Sequence, residues 1–161
     1  MKRILYTGRA AAAPLAKKLL GGLLASLLLL AFSACEFHAG DNGDLDGFWH
    51  LESMENTQTG EVTYLGDQTI FWSYQVDLMY LQGASTGSFF LRFTHADNTL
   101  TLYSPYADGG HSPEGDVLLE DPAPLLPYGI TALEETFQVE RLDGGAMVLR
   151  SEAYRLSFTK F

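Results

Sequence analysis

Cys35 is the chain's single cysteine, so no intramolecular disulfide can form and its thiolate is free to act as a nucleophile. Other reactive residue types are scattered. His38, His50, His95 and His111 form no His-x-x-x-His pattern, and neither a Cys pair nor a Gly-x-Ser-x-Gly accompanies them, which argues against zinc and against a nucleophile elbow. The loop Asp108 to Asp116 gathers carboxylates beside His111, but its Gly, Pro, Ser and Asp content is that of an ordinary turn-rich connection. Glu134 and Glu135 are adjacent, so on a strand they point to opposite faces and share no substrate. Asp41, Asp44 and Asp46 lack alternate-position calcium-loop spacing, because Gly43 and Leu45 interrupt it. The expectation is a protein that is not an enzyme, with no metal and no cofactor.

What surrounds Cys35 gives its thiolate a use. Lys2, Arg3, Arg9, Lys17 and Lys18 precede an apolar and small-residue run from Leu19 to Phe32, and no acidic residue occurs before Glu36. This is a secretory signal layout. A helix over that run would reach about 21 Å, short of the ~30 Å hydrocarbon core of a bilayer. Phe32-Ser33-Ala34-Cys35 resembles the bacterial lipobox, in which the cysteine is acylated and becomes the new N-terminus. The resemblance implies cleavage after residue 34, lipid on Cys35 and attachment to a membrane through acyl chains, each buried CH₂ contributing about 0.8 kcal/mol.

Five of the ten basic residues lie in that signal, which leaves five against 20 acidic residues, a net charge of −15 on the remainder. Arg92, Arg141, Arg150, Arg155 and Lys160 are dispersed, so no basic stripe exists and nucleic-acid binding is excluded as an expectation. Residues 35–46 read as the lipidated cysteine and a flexible acidic tether, rich in Gly and Asp.

From residue 47 onward the pattern has period two. Ile70, Trp72, Tyr74, Val76, Leu78 and Tyr80 alternate with polar residues and predict one long half-buried strand over 70–82. Phe89 to Tyr103 reads as a hairpin turning at Asp97-Asn98, and Phe137 to Leu149 as another turning at Asp143-Gly144-Gly145. Tyr154, Leu156 and Phe158 form a last strand. Shorter strands are expected at Phe48 to Met54, Glu61 to Leu65 and around Val117 to Leu119. The proline-rich but apolar stretch Asp121 to Glu135 predicts a loop with one helical turn, folded across an open end of the sheet.

Eight or nine sequential strands in about 115 residues fit one all-β antiparallel domain, a sandwich or an up-and-down barrel, and closure favours the barrel because it removes exposed edges. A terminal Phe161 can mark a membrane barrel, but Thr159, Ser157 and Arg155 occupy the face that would meet lipid.

Gly47-Phe48-Trp49 resembles the Gly-x-Trp with which lipocalins open their first strand. That resemblance implies an eight-stranded barrel over residues 47–161, Trp49 closing one end, and an arginine stacked on it, a place for Arg150 or Arg155. No Thr-Asp-Tyr, the second lipocalin motif, occurs. The fuller likeness is to small lipocalin-like lipoproteins of Gram-negative bacteria, which share the lipobox, acidic tether, Gly-x-Trp start and a final strand ending near Lys-Phe. It implies a protein anchored in the cell envelope, at the outer membrane, that binds a small hydrophobic ligand; Trp72, Tyr74, Tyr80 and Phe89 are the candidate lining. The same sequence also fits a non-catalytic interaction or structural subunit of an envelope protein complex.

Overall fold

The computed structural model describes residues 42–161; the signal run, Cys35, His38 and the front of the tether lie outside the described residues. Ten strands follow in order: β1 Gly47–Asn56, β2 Val62–Tyr64, β3 Phe71–Gln75, β4 Leu78–Gln82, β5 Phe89–Ala96, β6 Thr99–Ala107, β7 Val117–Leu118, β8 Glu135–Leu142, β9 Ala146–Arg150 and β10 Tyr154–Lys160. Eight of them close a barrel in the order β1-β3-β4-β5-β6-β8-β9-β10, every pairing antiparallel, with β10 returning to β1. The pairs from Trp49 opposite Lys160 to Asn56 opposite Tyr154 make that closure. The short strands β2 and β7 are appendages on β1 and β6.

Closure needs bent strands, and three register irregularities supply the bends, between Leu51 and Ser53, Phe90 and Arg92, and Val139 and Arg141. Alternation then sorts the faces. Leu51, Trp72, Met79, Leu81, Leu91, Leu100, Leu102, Phe137, Met147, Leu149 and Leu156 are all buried inside.

The strand expected over 70–82 is two strands. Val76 adopts φ +59°, and a two-residue turn at Val76-Asp77 sets Gln75 opposite Leu78. Residues flanking such a turn face the same side, so the alternation slips by one: Trp72 and Tyr74 point inward before it, Met79 and Leu81 after it. Periodicity carried no sign of this, because Val is a strand former and the apolar residues at 78, 79, 80 and 81 fit either phase.

The tether boundary also moves. Residues Gly43–Leu45 form a 3-10 turn whose Leu45 is buried against the barrel, so residues 42–46 belong to the fold rather than to a free linker.

Candidate functional site

β3 aims two aromatic side chains into the barrel. Trp72 is 0% exposed and Tyr74 2%, two residues apart and therefore about 7 Å along the strand. The Trp72 ring lies 4.9 Å from Phe158 and 5.9 Å from Phe137, and Tyr74 meets Phe93 edge-on at 5.1 Å. Neither Trp72 Nε1 nor Tyr74 Oη has a hydrogen-bond partner. Buried donors without acceptors are rare and cost free energy. Burial also pushes the Tyr74 hydroxyl well above the usual tyrosine pKa, so it stays protonated.

Phe89, on β5, is buried near the other end of the same interior. Tyr80 is not with them. The turn at Val76-Asp77 places it on the outer wall, where its ring stacks on Phe90 at 4.6 Å and its hydroxyl donates to Asp108 Oδ2 at 2.8 Å. Of the four expected lining residues, three share the interior and Tyr80 is excluded by the change of phase.

One end of the barrel, the floor, is where β1 begins. Trp49 is 0% exposed and its indole N–H donates to the Leu45 carbonyl at 2.8 Å. A cation does cover Trp49, but it is Lys160, whose Nζ lies 4.9 Å from the ring centroid and donates to the Asp44 carbonyl at 2.9 Å. Arg150 and Arg155 are engaged elsewhere, both with Glu140. Register explains the difference: Lys160 is the residue of β10 paired with Trp49. Gly47 makes the approach possible, having φ +113° and a hydrogen where a Cβ would come within 3.1 Å of Lys160 Cε.

At the opposite end, the mouth, the expected loop across the sheet is a strap with a 3-10 turn at Ala123–Tyr128. Leu125, Tyr128 and Ile130 are buried against the core. The Tyr128 hydroxyl donates to the Gly87 carbonyl at 2.6 Å and accepts from the Ala84 N–H at 3.1 Å, both in the β4–β5 loop. Glu135 secures the strap's far side, its carboxylate accepting from the Thr131 and Ala132 N–H groups, while Glu134 is exposed.

A family profile described as a lipocalin-like domain matches residues 29–161. The chain belongs to the lipocalin-like family. The barrel is similar to a lipocalin-like protein from Bacteroides uniformis, with a TM-score of 0.56, 20% identity, and coverage of 74% of this chain and 100% of that one. It is also similar to an uncharacterized protein from Bacteroides eggerthii, with a TM-score of 0.55, 19% identity, and coverage of 73% and 99%. At such identities the likeness is one of fold. No curated protein matches the sequence.

Two clefts open on the outer wall of this lipocalin-like barrel. One, of about 480 Å³, runs between Leu78, Phe90, Arg92, Ser104, Tyr106 and Asp116. The other, of about 320 Å³, contains His50, Glu52, Gln68, Phe71, Thr159 and Lys160. There His50 Nδ1 faces Glu52 Oε1 at 2.9 Å and Nε2 faces the Gln68 carbonyl at 2.5 Å. Both neighbours accept, an arrangement that favours the doubly protonated ring. The Glu52 carboxylate and the Gln68 carbonyl raise the His50 pKa, and His50 lowers that of Glu52. With both nitrogens occupied, His50 has no free edge for acid-base work on a substrate. The Asp108–Asp116 loop folds on itself, Asp116 accepting from Gly109 N–H and Asp108 from Gly110 N–H. Among the described residues no three metal-type ligands converge.

Lys160 and Tyr128 were missed by reasoning from sequence. The Lys-Phe ending was visible as a family feature, but its role needed the β1–β10 register. Nothing in the sequence distinguished Tyr128 from the other apolar residues of the strap.

Proposed function

We propose that this chain is a lipid-anchored binding protein of the cell envelope, held at the outer membrane through acylated Cys35, that encloses a small hydrophobic ligand in its barrel. The observation that carries the reading is the pair of buried polar atoms, Trp72 Nε1 and Tyr74 Oη, that the protein leaves without a partner. A barrel interior meant only as packing gains nothing from two such atoms, since Phe at either position would avoid their desolvation. A guest that supplies oxygen acceptors removes the cost. Access is through the mouth, where Tyr128 of the strap packs edge-on against Phe89 at 6.0 Å while Leu125 and Ile130 are buried in the same core.

Native mass spectrometry of the full chain released from its own membranes tests this. The expected result is an added small-molecule mass that Tyr74→Phe reduces; a ligand-free spectrum under conditions that keep the barrel folded contradicts it. Labelled palmitate incorporated into the wild type and not into Cys35→Ser tests the anchor separately.

A second reading, a non-catalytic interaction subunit, draws on the outer wall. There β7 presents Val117 and Leu118, each about half exposed, beside the larger cleft, a form suited to strand addition. Co-purification of one envelope protein that is lost in Val117→Pro, with no bound small molecule, would favour it.

A further inference from the structure

The interior also specifies the charge of its guest. Resting on the ligand-binding reading above, we infer that the barrel takes an uncharged, acceptor-bearing apolar molecule, such as an ester, ketone or ether, and rejects the free carboxylate of a fatty acid. Among the described residues, every Lys, Arg and His is at least partly exposed. Arg92, Arg141, Arg150 and Arg155 form ion pairs on the outside, and Lys160 is turned to the floor, across Trp49 and onto the Asp44 carbonyl. Among the described residues, then, no cation faces the interior to receive an anion. Among the described residues the buried acidic group is Glu135, at the start of β8 where the strap joins it, and it would repel one.

The two open positions differ in what they ask for. An indole N–H only donates, so Trp72 calls for a guest oxygen. Tyr74 donates or accepts, and its hydroxyl stays neutral, so it accommodates either a carbonyl or a guest hydroxyl one strand step nearer the floor. A carboxylate would satisfy both donors but would bring an unpaired charge into a wall of Phe93, Phe137, Phe158, Met79 and Leu81. Desolvating that charge costs more than two neutral hydrogen bonds return. Neutral guests avoid the cost, and a plain alkane forgoes the hydrogen bonds.

The test uses the full chain in lipid nanodiscs, with empty nanodiscs as the partition control, and three probes of equal chain length: methyl laurate, laurate and dodecane. Methyl laurate should bind about fivefold tighter than dodecane, on the strength of the hydrogen bonds it adds. It should bind at least about tenfold tighter than laurate. Trp49 and Trp72 are the chain's two tryptophans, so indole ¹⁵N–¹H NMR provides an internal control. The Trp72 proton should move downfield with methyl laurate, while that of Trp49, already bonded to Leu45, stays in place. Tyr74→Phe should narrow the preference for ester over alkane and leave dodecane binding intact. Laurate binding tighter than its ester, or ester binding that leaves the Trp72 proton unmoved, overturns the neutral-acceptor class while keeping ligand binding. Binding of none of the three overturns both.

Discussion

Lys160 lies across the face of Trp49 with its ammonium 4.9 Å from the ring centroid, fastened to the Asp44 carbonyl beyond. The contact ties the last strand, the first strand and the 3-10 turn before it into one closure of the floor. Lys160→Met keeps the stem and removes the charge, and it should lower stability by about 1 kcal/mol, read as a shift in urea midpoint at constant m. Lys160→Arg should recover most of that loss. A Met variant as stable as the wild type would show that the ammonium contributes nothing there.

Tyr74→Phe should make the empty protein more stable, by about 1 kcal/mol, because it removes a buried hydroxyl that has no partner. Thermal unfolding of ligand-free protein measures this. A loss of stability would mean that the hydroxyl is hydrogen-bonded in solution.

Tyr128→Phe removes the hydroxyl that links the strap to the β4–β5 loop, leaving the Ala84 N–H and the Gly87 carbonyl without it. A cost of about 1–3 kcal/mol is expected. Hydrogen exchange should quicken at Ala84 and in the strap around Leu125 and Ile130 before it changes in β8 or β9. Uniform acceleration over the whole barrel would contradict a separately opening strap.

The His50–Glu52 pair makes stability depend on pH in a definite sense. His50 has its folded pKa raised above 6.5, so its contribution is complete below about pH 6.5 and is lost as pH rises through the raised value. Glu52 has its folded pKa lowered from 4.5, so its contribution is present above about pH 4.5 and is lost as pH falls through the lowered value. Stability from the pair therefore peaks between those limits. The charged neighbours are Asp67 and Lys160, which line the same cleft, and Thr159 adds a hydroxyl bond to Glu52. Melting at pH 5.5 and pH 8 should give a smaller difference in His50→Gln than in the wild type. An unchanged difference would locate the pH dependence elsewhere.

Val76→Gly should stabilise the fold by about 0.5–1 kcal/mol. A β-branched residue at φ +59° is strained, whereas glycine suits the first central position of a two-residue hairpin turn. Val76 is 48% exposed, so little burial is lost. Denaturant unfolding decides the sign.

That turn also marks how much could be read from sequence. The barrel, its eight-strand count, the hairpin at Asp97-Asn98 and the strap over one end were legible, since period-two alternation and Gly, Pro and Asp punctuation report local geometry directly. The site was legible in part. Trp72, Tyr74 and Phe89 turn inward as their alternation predicts, whereas Tyr80 does not, because a valine in a positive-φ turn leaves no trace in hydrophobicity. Lys160 was passed over in favour of Arg150 and Arg155 because which cation meets Trp49 depends on the pairing of strands more than 100 residues apart. Long-range register of that kind is fixed by closure of the barrel, not by any local run of residues.

The described chain enters and leaves at a single pole: Asn42 donates to the Val76 carbonyl in the floor-end turn, and Phe161 N–H bonds to the Phe48 carbonyl beside it. The strap sits at the opposite pole, held there by the Tyr128 hydroxyl on the β4–β5 loop, so it can loosen without pulling on either end of the described chain.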